Sequence, residues 1–271
     1  MEVSLLIPTY HDIEALALIL EALKRQTYKN FEVIVAEDDE SEACRVLLEK
    51  FSSLDIKHVS HKDEGNRKAT ILNKALALVS GEYLVFIDGD TIPFSTFIES
   101  HVALSESKLV LCGRRVNLGE FVSKELREKK IFAYEIEKHY FKHYNYLKKN
   151  GTRHYEQGLR LKPNSWLYKQ LSNANKNVHI LGSNFSCFKE DFFYINGFDE
   201  DIIGGSKDDV DLEWRLIDSG CQMKSVKYCA NLFHLYHDRA SREEEEKIAK
   251  EQMRKNREDG RYIAKNGIKK L

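Results

Sequence analysis

The chain has 271 residues, of which 42% are hydrophobic and 31% charged, and its formal net charge is -1. This composition excludes a disordered or collagen-like chain and is sufficient for one core of ordinary size. Lys and Arg together number 42 and Asp and Glu 43, so no overall positive field exists to bind a polyanion. The balance of charge therefore argues against nucleic acid as a ligand.

The five cysteines are scattered and show no CxxC spacing, which is typical of reduced thiols in a cytoplasmic protein. The sequence starts MEVSLLIPTY, without the basic residues and long apolar run of a secretory signal. The most apolar stretch, residues 13–23, contains Glu14 and Glu21 and is too short to span a bilayer. We therefore expect a cytoplasmic protein, and docking at the inner face of the membrane stays an open alternative.

The first ninety residues alternate between compact apolar runs, typical of buried parallel strands, and apolar residues at helical spacing. The strands are predicted at residues 3–7, 31–36 and 83–87, and the helices at residues 13–23 and 69–79. This βαβαβ order predicts an α/β fold with a mostly parallel central sheet and helices on its faces.

Polar clusters follow each of the three strands: Pro8-Thr9-Tyr10, Glu37-Asp38 and Asp88-Gly89-Asp90. Ligands of open α/β sheets bind outside the carboxyl ends of the strands. We therefore expect the three clusters to converge on one edge of the sheet.

The second half of the chain is less regular. A strand is predicted at residues 109–118, a long helix at 121–149 and a loop with short helical pieces at 150–177. Strand and loop at 178–188, a helix ending at Asp218 and a strand at 226–235 follow. Residues 239–271 are charged on nearly every turn and predict a solvated helix.

Asp88-Gly89-Asp90 carries the clearest chemistry. Two carboxylates that flank a glycine at a strand end can bind a hard divalent cation, and the glycine lets a ligand approach the backbone. A surface turn is the alternative, because such turns are rich in Asp and Gly. The apolar run YLVFI favours a functional site, since carboxylates at the mouth of a buried strand are costly unless paired.

The segments LLIPTY, FEVIVAEDDES, GNRKATILNKAL and EYLVFIDGD resemble, in this order, the donor-binding half of family 2 glycosyltransferases with the GT-A fold. The segments LGSNFSCFKEDFFYINGFDEDI, DDVDLEWRL and LFHLYH resemble the galactosyltransferase and chondroitin-polymerase-like branch. The resemblance implies a single Rossmann-like GT-A domain over residues 1–240, with a nucleotide-sugar half at 1–118 and an acceptor half at 119–240. A charged helical tail would follow at 241–271.

The resemblance also implies roles for individual residues. The nucleotide-binding set that it implies is Pro8, Thr9, Tyr10, Asp38, Arg67, Asn73, Asp88 and Gly89. The metal ligands that it implies, for Mn²⁺ or Mg²⁺, are Asp90, His237 and Asp88. The catalytic residues that it implies are Asp209, as general base, and Asp208 beside it.

Each of these residues has a structural alternative. Asp208 or Asp209 could cap a helix, Asp38 could start a turn, and His237 could be a surface histidine. His234 is expected to pack against its neighbours or to support another metal ligand, rather than to bind the metal directly. Residues 120–149 fit either an amphipathic helix with ion pairs on its outer face or a surface that contacts a membrane and a lipid-linked acceptor.

The resemblance implies a metal-dependent, inverting transferase that moves a sugar from a UDP-sugar to a saccharide or glycolipid acceptor in surface polysaccharide synthesis. The alternatives are a nucleotidyltransferase and a sugar-nucleotide-binding module without turnover. The branch usually reads Gly-Trp-Gly-Gly-Glu-Asp at the base, whereas here Ile202-Ile203-Gly204-Gly205-Ser206-Lys207 precedes Asp208-Asp209, so the Trp is missing and Lys207 is added. These departures leave the donor and acceptor sugars open.

Overall fold

The computed structural model describes residues 1–174, 178–202, 207–238 and 243–271. Its strands are β1 (Val3–Thr9), β2 (Phe31–Glu37), β3 (Ile56–Ser60), β4 (Tyr83–Phe86), β5 (Thr91–Pro93), β6 (Leu109–Cys112), β7 (Val116–Asn117), β8 (Phe185–Phe188), β9 (Gln222–Ser225) and β10 (Leu232–His234). Its α-helices are α1 (Ile13–Leu23), α2 (Glu42–Glu49), α3 (Lys68–Leu76), α4 (Phe97–Leu104), α5 (Glu120–Arg127), α6 (Ala133–Lys138), α7 (Tyr140–Lys149), α8 (Trp166–Ala174), α9 (Lys189–Tyr194), α10 (Lys207–Asp218) and α11 (Glu243–Glu258). A 3₁₀ turn lies at Tyr155–Gly158.

The main sheet has the strand order β3-β2-β1-β4-β8-β6-β9. Strands β3, β2, β1 and β4 are mutually parallel, β8 is antiparallel to both neighbours, and β9 is parallel to β6. The carboxyl ends of β1, β2 and β4 therefore meet at one edge. The mostly parallel α/β architecture expected from the sequence is confirmed.

The core lies on both faces of this sheet, because β1 and β2 are apolar at nearly every position. Leu5 and Ile7 pack on the face covered by α1 and α4, whereas Leu6 packs on the face covered by α3 and α10. Each is fully buried, which is worth roughly 1.5–3 kcal/mol per side chain. Burial on both sides fixes the register of the strands and so the position of the loops that follow them.

A second, three-stranded sheet has the order β5-β10-β7 and sits beside the carboxyl edge of the main sheet. Thr91 of β5 lies opposite His234 of β10 in an antiparallel pair. Just beyond the pair, the Leu235 N–H donates to the carbonyl oxygen of Asp90 over 2.9 Å. The small sheet thus fixes the end of the chain's last strand next to the acidic loop after β4.

Two elements predicted in the middle of the chain are interrupted. The strand predicted at 109–118 is two short strands with Gly113 between them, where an added Cβ would lie 2.1 Å from the Asn184 side chain. The helix predicted at 121–149 is three helices, and Lys129, with a φ of 57°, takes a left-handed conformation just after the first. Among the described residues, no helix combines the length and the apolar character needed to cross a membrane.

The tail differs from the solvated helix expected at 239–271, of which residues 239–242 lie outside the described part of the chain. Helix α11 ends at Glu258, and its Ala249 and Met253 are buried against Ile202. Residues 259–271 fold back onto the domain, where the Asn196 side-chain amide donates to the carbonyl oxygens of Ala264 and Lys269. The expected C-terminal helix is therefore confirmed, but it is packed on the domain, because charge patterning does not reveal the few apolar side chains that anchor a mostly polar segment.

Replacement of Arg215 by Met is expected to destabilise the fold by about 3–5 kcal/mol. Its Nε donates to Asp211 Oδ2 over 2.6 Å within α10, and both side chains are only 1% exposed. The substitution leaves the Asp211 charge buried without its partner. Urea unfolding followed by circular dichroism measures the loss.

Arg254→Met is the matched control, because Arg254 pairs with Glu251 on α11 in an exposed position. We expect it to cost less than about 1 kcal/mol. Equal losses in the two variants would contradict the structural role assigned to the buried pair.

Candidate active site

The loops after β1, β2 and β4 border one cavity of about 1150 Å³, a size that suits a small organic ligand. The residues that line it from these loops are Pro8, Thr9, Tyr10, Asp38, Asp88, Gly89 and Asp90. The predicted convergence of the three polar clusters is therefore confirmed. Glu37 is the exception, since its side chain points to the other side of β2 and contacts His58.

Gly89 allows the β4 loop to approach the β1 loop. A Cβ at this position would lie 2.3 Å from the Pro8 carbonyl oxygen and 3.2 Å from the Thr9 Cα. Both obstacles are backbone atoms, so a side chain would force the loops apart. Glycine here sets the width of the cavity between its two acidic neighbours.

Asp38 is held rigidly at the cavity wall by two groups. His61 Nε2 lies 2.6 Å from Asp38 Oδ1, and the Arg67 N–H donates to Oδ2 over 2.9 Å. A carboxylate has about four lone-pair directions, so Asp38 keeps acceptor capacity for a ligand. The Arg67 side chain also lines the cavity and pairs with Glu64.

Asp88 is paired with cations. Lys68 Nζ lies 2.7 Å from its Oδ1, and Arg115 Nη1 lies 3.9 Å from its Oδ2. Burial alone would raise the pKa of Asp88, but the two cations outweigh burial and lower it. Burial likewise works against the charge of Lys68, yet Asp88, Asp208 and Asp209 together raise the Lys68 pKa.

Asp90 forms a different cluster with two histidines. Its Oδ2 lies 3.3 Å from both His234 Nε2 and His237 Nε2. Its Oδ1 is buried and has no hydrogen-bond partner among the described residues. One carboxylate and two imidazoles whose ligand atoms lie within 4.8 Å of one another fit a divalent transition metal such as Mn²⁺. Asp88 is outside this cluster, so its assignment as a ligand stays a prediction.

Asp208 and Asp209 lie in the first turn of α10. Asp208 lines the cavity, and Asp209 next to it is fixed by the Gly182 N–H, which donates to Oδ2 over 2.8 Å. A Cβ on Gly182 would lie 2.7 Å from Asp209 Oδ1. The Gly182 backbone thus binds Oδ2 of Asp209, and a side chain at position 182 would collide with Oδ1.

The protonation of this acid pair is unusual. Burial, and then the neighbouring Asp208, raise the pKa of Asp209 to about 7, while Lys68 acts in the opposite direction. Burial also raises the pKa of Asp208. A carboxyl with this pKa can both accept and release a proton near neutral pH.

The structure corrects one residue of the predicted nucleotide-binding set. Asn73 is 4% exposed and does not line the cavity. Its Nδ2 donates to the Phe198 carbonyl oxygen over 2.9 Å, and its Oδ1 accepts from the Phe198 N–H over 3.0 Å. Asn73 therefore joins α3 to the loop after α9, a contact between distant parts of the chain that the sequence does not reveal.

Sequence reasoning gave too little weight to some residues. His234 lies as close to Asp90 as His237 does, and a pair of histidines three positions apart was the available signal. Lys68 and Arg115, which pair with Asp88, have no such signal, because single cations on a helix or after a strand are common at protein surfaces. The sequence gives no sign of the contact between Gly182 and Asp209, because the backbone N–H of Gly182 makes it.

Asp209→Asn is expected to raise the melting temperature of the metal-free protein at pH 8, by about 3 °C or more. The folded-state pKa of about 7 lies above the ordinary value of 3.8, so native Asp209 binds a proton that the unfolded chain has lost. The stability of the native protein therefore falls as the pH rises from about 4 to about 7. The amide stays neutral and avoids this loss.

Differential scanning fluorimetry in EDTA, at pH 5 and at pH 8, measures this difference. The gain of the variant over the native chain should grow with pH. A gain of the same size at both pH values would contradict the raised pKa.

Among solved structures, the fold is similar to that of the mannosyltransferase PcManGT from Pyrobaculum calidifontis in complex with GDP-Man and Mn²⁺. The TM-score is 0.57 at 16% identity, over 88% of this chain and 58% of that one. At this identity the likeness concerns the fold, which is that of a glycosyltransferase with a mostly parallel sheet.

Among curated proteins, the chain is 26% identical to the chondroitin synthase of Escherichia coli over 239 residues, which cover 83% of this chain and 33% of that protein. It is 28% identical over 102 residues to the UDP-Glc:alpha-D-GlcNAc-diphosphoundecaprenol beta-1,3-glucosyltransferase WfgD of Escherichia coli. That match covers 38% of this chain and 40% of the other. The chain thus spans well under half the length of these relatives.

Two family models match successive parts of the sequence. The N-terminal domain of galactosyltransferase matches residues 168–238, the region that supplies Asp208, Asp209 and both histidines. Glycosyl transferase family 2 matches residues 4–161, more than half of the chain. The chain therefore belongs to glycosyl transferase family 2.

Proposed function

We propose that the protein transfers a sugar from a UDP-sugar to a hydroxyl of a saccharide or lipid-linked acceptor, with a divalent cation and with inversion at the anomeric carbon. The observation that carries this proposal is that one cavity is lined both by a possible metal site and by an acid of α10. Asp90 and His237 line it, with His234 in the same cluster, and Asp208 lines it as well, with Asp209 next in the chain. Sugar transfer needs both a group that neutralises the leaving diphosphate and a base for the attacking hydroxyl.

The donor side is supported by Asp38 and by the printed name of a relative. Asp38 is buried and oriented by two hydrogen bonds, which suits an acceptor for the N–H of a uracil ring. The glucosyltransferase WfgD is named for UDP-Glc and for an acceptor linked to a polyprenol diphosphate. We extend this donor class and this kind of acceptor to the present chain.

At the Asp90 cluster, Asp90, His234 and His237 would hold Mn²⁺ or Mg²⁺, and three nitrogen and oxygen donors of this kind favour Mn²⁺. A cation in this place supplies Lewis-acid neutralisation of the negative charge that develops on the diphosphate. The buried, unpartnered Oδ1 of Asp90 favours a ligand here, since an unmatched carboxylate oxygen is costly. Lys68 pairs with Asp88, so Asp90 is the acid of this loop that is available to a cation.

The acceptor side relies on Asp209 as general base, with Asp208 beside it. An attacking hydroxyl must lose its proton, and a base with a pKa close to neutrality is suited to take it. The Gly182 N–H fixes one oxygen of Asp209, so the other oxygen is the one available for the proton. One base that assists one displacement gives inversion.

Action at the cytoplasmic face of a membrane, where a lipid-linked acceptor would be found, belongs to the same proposal. Phe132 and Phe141 in the α5–α7 region are 59% and 81% exposed. Lys138 and Lys142 lie close to them in sequence. Exposed aromatic rings among lysines suit a surface of anionic lipid.

Release of UDP from a panel of UDP-sugars, with Mn²⁺ and with EDTA, tests the proposal. Release that requires the metal and rises with a saccharide acceptor is the expected result. Transfer of a nucleotide to a sugar phosphate would instead identify a nucleotidyltransferase. Failure to turn over any donor, with tight UDP binding retained, would identify a binding module.

Asp90→Asn is expected to weaken Mn²⁺-dependent binding of UDP by at least about tenfold, because a ligating carboxylate becomes a neutral amide. Isothermal titration with UDP, in Mn²⁺ and in EDTA, measures the effect. In EDTA the variant and the native protein should bind UDP equally. A loss of binding that is the same with and without metal would contradict the role of Asp90.

Asp209→Asn is expected to retain UDP binding and to lower the rate of transfer by about 10²–10⁴-fold, since only proton transfer is removed. Asp218→Asn, an exposed change at the other end of α10, is the matched control and should keep the native rate. Transfer by Asp209→Asn at a rate close to native would overturn the assignment of the base.

A further inference from the structure

A second cluster of potential metal ligands lies outside the cavity, on the other side of β2. Glu37 at the end of β2, Cys44 in α2 and His58 in β3 each offer one ligand atom, and these atoms lie within 4.8 Å of one another. His58 Nε2 is 2.8 Å from Glu37 Oε2 and 4.0 Å from Cys44 Sγ. None of the three lines the cavity, so the cluster is separate from the Asp90 site.

Glu37 is oriented toward the cluster. Its Oε1 accepts hydrogen bonds from the Ser41 N–H and Oγ, at 3.2 and 2.6 Å. These bonds turn Oε2 toward His58 and Cys44. A hydrogen-bonded outer partner that fixes a carboxylate in this way is a regular feature of protein metal sites.

Asp39, two positions after Glu37, also carries an oxygen without a partner. It is 6% exposed, and its Oδ2 lies 2.7 Å from His11 Nδ1. Its Oδ1 is buried, and no described residue offers it a hydrogen bond. An unmatched buried carboxylate oxygen is costly, and a cation nearby would relieve that cost.

The donor set points to the metal. Thiolate sulfur with imidazole nitrogen and carboxylate oxygen suits Zn²⁺, whereas Mg²⁺ and Mn²⁺ prefer oxygen. Bonds of about 2.0–2.3 Å in a tetrahedron put ligand atoms about 3.3–3.8 Å apart. The two separations from His58 Nε2, 2.8 Å to Glu37 Oε2 and 4.0 Å to Cys44 Sγ, lie on either side of this range.

We propose that Glu37, Cys44 and His58 bind Zn²⁺ at a structural site that joins β2, α2 and β3 behind the Asp38 loop. On binding, a Zn–S bond forms as the Cys44 S–H bond breaks, and the proton passes to solvent. Without the metal, burial and then the nearby carboxylates raise the pKa of Cys44 to about 12, and the thiol stays protonated. The proposal is independent of the proposed function.

Titration of the reduced, EDTA-stripped full chain with Co²⁺ tests this site. Co²⁺ bound by a thiolate gives a charge-transfer band in the near ultraviolet, and addition of one equivalent of Zn²⁺ should remove it. Cys44→Ser should abolish the band. Cys229→Ser should keep it, because Cys229 is buried away from the cluster. Asp90→Asn should also keep it, which separates this site from the cavity.

His58→Gln guards against a misfolded cysteine variant, since the His58 side chain is 27% exposed on an edge strand. We expect it to weaken Zn²⁺ binding by at least about tenfold in competition with a chromophoric chelator. Absence of the band in the native chain would overturn the proposal. So would a band that persists in Cys44→Ser, or native Zn²⁺ affinity in His58→Gln.

Discussion

The cavity depends on the repulsion between carboxylates that the sheet brings together at one edge. Asp88 and Asp90 follow β4, and the start of α10 brings Asp208 to the same cavity, with Asp209 next to it. Two such charges about 4 Å apart would repel each other by about 4 kcal/mol at an effective dielectric constant near 20. The chain relieves this cost in three ways: Lys68 and Arg115 pair with Asp88, histidines face Asp90, and a proton is retained on Asp209. The negative charge that remains uncompensated favours the binding of a cation at this edge of the sheet.

The three-stranded sheet determines which carboxylate is placed to bind that cation. Strand β5 begins directly after Asp90, and its pairing with β10 sets His234 opposite Thr91. Asp90 and the histidines are therefore positioned by backbone hydrogen bonds, whereas Asp88 is positioned by side-chain cations. Two acids separated only by Gly89 thus have different partners because different elements pack against each side of one loop.

Much of this arrangement could be predicted from the order of apolar runs and the residues that follow them. The strands ending at Thr9, Glu37 and Phe86 are apolar on both faces, so their type and their common edge were predictable from local pattern. Asn73 was misplaced because its partners lie on the loop after α9, far away in the chain. The breaks at Gly113 and Lys129 were missed since they arise from tertiary crowding and from backbone conformation. Gly182 acts through its N–H, which no pattern of side chains can indicate.

The end of β2 supports two kinds of chemistry because successive side chains of an extended chain point in opposite directions. Asp38 faces the cavity, Glu37 contacts His58 of β3, and Asp39 pairs with His11. The three acids are neighbours in sequence, yet Asp38 meets a histidine and a backbone N–H, whereas Glu37 meets a thiol and another histidine. Any group that neutralises Glu37 and Asp39 also fixes the backbone on both sides of Asp38. The position of Asp38 at the cavity wall is therefore also determined by residues on the other side of the strand, which do not line the cavity.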